Sequence, residues 1–392
     1  MQSADYFTIP SPPADIEWRR RHPALYSWAS LLLPLLILLV GVQTTRELFD
    51  DVYVQGVTRC VFSVPEQAGR ADEGCRSVTS PDARTLNWAR ATPAVAAISE
   101  YSGRLRFSAS QTFLLFSAVV SLAVSAAIIA GELQRHGGVE RPLVRVLLCL
   151  LAASLAACYV LSSWVGPITK VKDFFVYVVP EVLRVSNVAE AGAVIAAVET
   201  HGARGILAIV VAAAAIMAGA ATLGYRWRAG AWCTPAILRA QMNALLVMFA
   251  VASVVLVVSN AAIRSLLDWP AGLIPAAGDK NVDLLSSVHA AATSLSYLWS
   301  VLSTAILLAT FVPAFVSLFA DIDLAALKQS RTARPIRGCP MPEPSMADTR
   351  AWKERHGLSF SVSQVVTAVV SAAAPLLAAP AIDLAKLIPG LT

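Results

Sequence analysis

"ALYSWASLLLPLLILLVGVQ", Ala24 to Gln43, follows the basic stretch "RRRHP" at residues 19–23. Twenty residues without a charge are long enough to cross roughly 30 Å of hydrocarbon. Pro34 sits inside the run, and membrane helices tolerate such an interruption. No small-residue cleavage site follows, so the segment reads as an uncleaved anchor, not a signal peptide.

Five further apolar runs follow. They cover about Ser110–Gly131, Val144–Val165, Gly205–Gly224, Ala240–Asn260 and a stretch within His289–Ala320. The composition agrees: 56% of the 392 residues are hydrophobic and 15% are charged, against about 25% charged in soluble domains. The expected fold is therefore all-α, a polytopic membrane helical bundle of six spans, possibly seven. The net charge of +5 belongs to the ends of apolar runs and builds no basic face, so nucleic acid is not an expected partner.

The arginines orient the runs. Arg19, Arg20 and Arg21 precede the first. Arg135, Arg141 and Arg145 join the second to the third. Arg226, Arg228 and Arg239 join the fourth to the fifth, and Lys328, Arg331, Arg334 and Arg337 follow the sixth. With alternating spans all four clusters fall on one side, and the positive-inside rule makes that side cytoplasmic. The domain plan is then a cytoplasmic tail over 1–23, a bundle over 24–320, and a cytoplasmic or interfacial tail over 321–392. Segments 44–109, 166–204 and 261–288 face outward. The periodicity of Asn87–Phe107 and of Val171–Glu199 predicts short helices there, forming a cap on the membrane surface.

"CVFSVPEQAGRADEGC", Cys60 to Cys75, lies in the first outward segment. In the oxidising compartment outside a bacterial inner membrane this pair reads as a disulfide. Closing so short a loop contributes roughly 3 kcal/mol on the chain-entropy model. Two unpaired thiols are the next reading, and a metal site lacks further ligands nearby. Cys149 and Cys158 fall in the third run as small apolar residues. Cys233 and Cys339 are predicted cytoplasmic and reduced.

No nucleotide-binding, zinc-protease, serine-hydrolase or paired-cysteine motif occurs. The five histidines, at 22, 136, 201, 289 and 356, are scattered. His289, at the outer end of the sixth run, reads as an interfacial side chain ahead of a pH-sensitive gate. The centres of all six runs lack charge, which argues against a proton pathway. Glu132 reads as a headgroup-level ion pair with Arg135. "DIDL" at residues 321–324 reads as a helix-end turn ahead of a metal contact. No cofactor, metal or catalytic residue is expected.

The spans do carry small and hydroxylated faces. Ser117, Ser121 and Ser125 are four apart in the second run. Ser296, Ser303, Thr310 and Ser317 are seven apart in the sixth, with Ser300 and Thr304 beside them. Such spacing places each set on one helix face. Tight packing between helices is the first reading and a hydrogen-bonding path the second. Trp28, Trp164, Tyr225, Trp227 and Trp232 fit an interfacial aromatic belt. For the tail from Leu358 to Ile382, a cytoplasmic or interfacial pair of helices is favoured over a seventh span.

Three functional classes follow. The first is a non-enzymatic accessory or scaffold subunit of an inner-membrane complex. The second is an oligomeric channel or pore-forming effector, and the third a membrane-embedded lipid-processing enzyme. The expected partners are the lipid bilayer and either further copies of the chain or another membrane protein.

Overall fold

The structure is a computed structural model. It describes residues 22, 24–48, 93–136, 140–162, 191–225, 234–269, 279–332, 346–359 and 370–374, some near the helix ends by backbone alone. Every element among them is helical. In chain order they are α1 (Leu25–Leu48), α2 (Pro93–His136), α3 (Arg141–Ser162), α4 (Ala191–Leu223), α5 (Pro235–Asp268), α6 (Asp279–Thr332) and α7 (Met346–Arg355). A further turn of helix covers 370–374.

The described parts of the six apolar runs fall almost entirely on α1 to α6, one run to each helix. Four of these helices contain described stretches long and apolar enough to cross a membrane: Gly103–Arg135, Ala203–Leu223, Pro235–Leu266 and Ser296–Leu327. The described apolar part of α1, Leu25–Val40, is shorter. Pro34 and Pro313 both lie inside continuous helices. Proline removes one backbone donor, and neighbouring helices compensate where they pack closely.

The helices outrun their apolar runs. α2 is one helix of 44 residues, so 93–109, expected to lie on the membrane surface, continues the second run upward. α4 likewise begins at Ala191. Nothing in these sequences forces a break, and backbone hydrogen bonding favours propagation once a helix exists. α6 runs on to Thr332, so residues 321–324 form mid-helix backbone and not the expected turn. Ile322 and Leu324 from that stretch are buried.

α4 is the axis of the bundle. One of its faces, Ala208, Ala212, Ile216 and Ala220, joins a core with Leu114 of α2, Leu245 and Met248 of α5 and Leu307 and Phe311 of α6. Another face, Met217 and Ala221, joins Leu31 of α1 and Leu143, Val146 and Leu150 of α3, with Tyr225 just beyond the helix. An alanine-rich helix is thin, and small side chains let several neighbours approach together. A Cβ on Gly219 would lie 2.5 Å from Met248 Cε, and one on Gly224 would lie 3.4 Å from Ala314 Cα.

The outer surface is the reverse. Leu32, Leu36 and Leu39 of α1, Phe113, Phe116 and Val119 of α2, Leu148, Leu151 and Leu155 of α3, and Val247 and Val254 of α5 are all exposed. In water, contiguous apolar faces of this kind are strongly unfavourable. Against lipid tails they are the solvent-compatible surface. The interior mixes serine and alanine with large apolar residues, while the exterior leucine, valine and phenylalanine suit contact with lipid.

The tail docks at the end of the bundle where α6 finishes. Trp352 and Leu358 are buried in the main core. α7 stops in a Schellman arrangement: the Leu358 amide donates to the Lys353 carbonyl (2.8 Å) and the Gly357 amide to the Glu354 carbonyl (3.1 Å). Gly357 has φ +64°, the left-handed conformation that glycine adopts without a Cβ penalty. Lys353 pairs with Asp323 of α6.

Candidate functional site

Two layers of charged and amide side chains lie inside the bundle. The first lies at the end carrying Arg135, Arg141 and Arg239. Glu132 is fully buried on α2, pairs with Arg135 one turn on, and accepts from Gln241 Nε2 of α5 at 2.9 Å. The sequence reading supplied the Arg135 partner and missed Gln241. A carboxylate shielded from water needs its oxygens satisfied, and an amide from the neighbouring helix does this without adding charge. Beside it, Tyr225 Oη donates to Glu140 Oε2 at 2.6 Å, which ties the end of α4 to the start of α3. Ser27 Oγ of α1 donates to the Ala221 carbonyl at 2.6 Å.

The second layer lies toward the other end, between α5 and α6. Asn260 Nδ2 donates to Ser300 Oγ at 3.2 Å, and Ser300 Oγ donates to the Ser296 carbonyl at 2.8 Å. One turn further along α5, Arg264 Nε donates to Asp268 Oδ2 at 2.8 Å and its Nη1 to Thr293 Oγ1 at 2.6 Å. Arg264 was expected in an outward loop. It is instead a buried helical residue, because α5 continues to Asp268. Burial of a guanidinium is costly unless it is paired, and the carboxylate four residues on plus a hydroxyl from α6 meet that need. The signal was present as Asn260 and Arg264 four apart at the end of an apolar run. Ser259 and Ser303 have buried hydroxyls without a hydrogen-bond partner.

The hydroxyl faces are enclosed. Ser117, Ser121, Ser125, Ser296, Ser300, Ser303, Thr310 and Ser317 are buried, and Thr304 is partly buried. Ser117 and Ser121 donate to the carbonyls of Leu114 and Ala118, three residues back. Thr304 and Thr310 donate to carbonyls four residues back. Ser125 Oγ lies 3.7 Å from Met248 Sδ of α5, and Ser317 Oγ donates to the Gly224 carbonyl at 3.3 Å. Ser125 of the α2 set therefore reaches α5, and Ser317 of the α6 set meets the residue just beyond α4.

Cys60 and Cys75 lie outside the described residues, as does the His289 side chain. Cys149 is free and exposed. Among the described residues no group of three or more His, Cys, Asp or Glu side chains converges. An open depression of about 590 Å³ lies where α5 begins, lined by Pro235, Ala236, Arg239, Ala240, Asn243 and His356. Comparisons with protein-family models, curated proteins and solved structures gave no match.

Proposed function

We propose that this chain is a multi-pass protein of a bacterial inner membrane that acts as a non-enzymatic accessory or scaffold subunit of a membrane complex. The observation that carries this reading is the engagement of the hydroxyl faces. Apart from Ser303, whose hydroxyl has no partner among the described residues, the donors of Ser117, Ser121, Thr304, Thr310 and Ser317 bond to carbonyls of their own helix or of a neighbouring one, which is what close helix packing uses such residues for. The docked tail supports it too. α7 fixes Trp352 and Leu358 in the core while Arg350 and Glu354 stay exposed, presenting a polar surface on a rigid mount.

The topology belongs to the same proposal. Six crossings put the Arg135, Arg141 and Arg239 end in the cytoplasm by the positive-inside rule, with the Cys60–Cys75 disulfide outside. A seventh membrane-embedded segment is favoured by the tail's two contacts with α5. Gly357 lies against the Arg239 guanidinium, and the Ser371 carbonyl accepts from Ser253. The positions are fourteen apart on both segments, about 20 Å along α5 at about 1.5 Å per residue.

Affinity purification of the full chain in mild detergent, with cross-linking and mass spectrometry, tests the role. A stoichiometric partner lost on removal of residues 340–392 is the expected result. A homogeneous homo-oligomer giving ion flux in liposomes, abolished by Ser303→Leu, overturns it in favour of the pore reading. That second reading draws on the unpartnered hydroxyls of Ser259 and Ser303, since a buried polar pocket is where water is held.

A further inference from the structure

The depression at the start of α5 combines a cation, a helix N-terminus and a path into the apolar belt. Arg239 is exposed there and enters no ion pair among the described residues. Its guanidinium rests against Gly357, where a Cβ would lie 3.3 Å from both Cζ and Nη1, so the left-handed turn ending α7 positions the charge. His356 lines the same depression. Its Nδ1 lies 2.9 Å from the Trp352 carbonyl and its ring lies tilted against Trp352, centroids 4.6 Å apart. A carbonyl can only accept, so Nδ1 donates to it and the ring is held as a wall of the depression.

Helix geometry adds the rest. Thr234 is the N-cap of α5, its side chain makes no capping hydrogen bond, and Pro235 follows it. The amides of Ile237 and Leu238 bond to the Thr234 carbonyl, which leaves Ala236 as the first-turn donor without an intrahelical acceptor. Arg239, Asn243, Val247 and Val254 succeed one another at intervals of four, four and seven, hence on one face of α5. The lower two line the depression and the upper two are exposed to lipid, Val247 at 50% and Val254 at 56%.

We propose that this depression binds the phosphate of an anionic membrane lipid. Arg239 is the principal cation, the Ala236 amide and Asn243 carboxamide flank it, and an acyl chain lies along Val247 and Val254. An apolar track leading directly from the charge is what separates a lipid from a free phosphate ion, which would use only the lower end. The assignment rests on the lipid-facing reading of α5 and not on the scaffold role, so loss of a protein partner leaves it standing.

Native mass spectrometry of the full chain in a neutral detergent tests it, with phosphatidylglycerol, phosphatidylcholine and inorganic phosphate as probes. One retained phosphatidylglycerol per chain is expected, well above phosphatidylcholine and not displaced by millimolar phosphate. Arg239→Gln should lower its occupancy about tenfold, the worth of one charge-assisted hydrogen bond. Asn243→Asp, at an exposed position that folding tolerates, should act in the same direction by placing a carboxylate in the site. Arg350→Gln, on exposed α7, should change nothing. Unchanged retention in R239Q or N243D overturns the site. So do equal binding of the two lipids, displacement by phosphate, or an equal loss in R350Q.

Discussion

Ser253, midway along α5, donates its hydroxyl hydrogen to the backbone carbonyl of Ser371. Ser253 and Ser371 are both buried, Ala372 packs on the main core, and Val370 points outward at 60% exposure. A backbone carbonyl inside a bundle surrounded by lipid requires a donor, and the α5 hydroxyl supplies one to the tail.

That depth is measurable by labelling. With the native cysteines replaced, Val370→Cys should resist a membrane-impermeant maleimide applied from either side and react with a lipid-soluble one. Arg350→Cys, which is 83% exposed in its side chain, should react with the impermeant reagent from the cytoplasm. Rapid impermeant labelling at 370 would place the tail in water and remove the seventh membrane-embedded segment.

Two glycines should respond differently to a single methyl. On Gly103 a Cβ would fall 2.4 Å from Cδ1 of the buried Trp269 ring; on Gly219 it meets the mobile end of Met248. A rigid ring cannot yield, so Gly103→Ala should destabilise by about 1–3 kcal/mol. Gly219→Ala should cost less, and Gly219→Val should match G103A. The denaturant midpoint in mixed micelles gives the order, and equal behaviour of G103A and G219A would refute the contrast.

Removing the partner of a buried charge costs more than the bond itself contributes. Gln241→Leu deprives the enclosed Glu132 carboxylate of its Nε2 donor, and a loss of about 1–3 kcal/mol is expected. Glu132→Gln together with Q241L should recover part of it, because no buried charge then remains. Additive losses in the double variant, read from the same unfolding midpoints, would show that the two side chains are not coupled.

The docking of α7 depends on Trp352 and on the turn at Gly357. Trp352→Ala removes a buried ring from the core, at about 3–5 kcal/mol of local packing. Gly357→Val forces a β-branched residue to φ +64°, at about 1–3 kcal/mol. Both variants should expose the 346–359 segment to added protease in inside-out vesicles while the span fragments stay protected. Cleavage at the wild-type rate would mean that the segment is not held.

The sequence by itself determined the class of the fold and its rough register. Apolar runs such as Ala24–Gln43 are too long for an aqueous core strand and lack charge, so hydrocarbon is the environment they fit, and helices enclose them. The serine faces at 117, 121 and 125 were legible for the same reason, since helical periodicity is a property of the chain alone. Tertiary structure decided what those faces meet. Spacing shows that Glu132 can reach Arg135 within one helix, but only packing brings Gln241 from α5, Thr293 to Arg264 and Ser371 to Ser253. Helix ends were equally illegible: apolar runs end where hydropathy changes, whereas α2, α5 and α6 continue because backbone hydrogen bonds and neighbouring helices carry them further. Partners distant along the chain are fixed by three-dimensional packing, and a one-dimensional pattern constrains only which face is available to be packed.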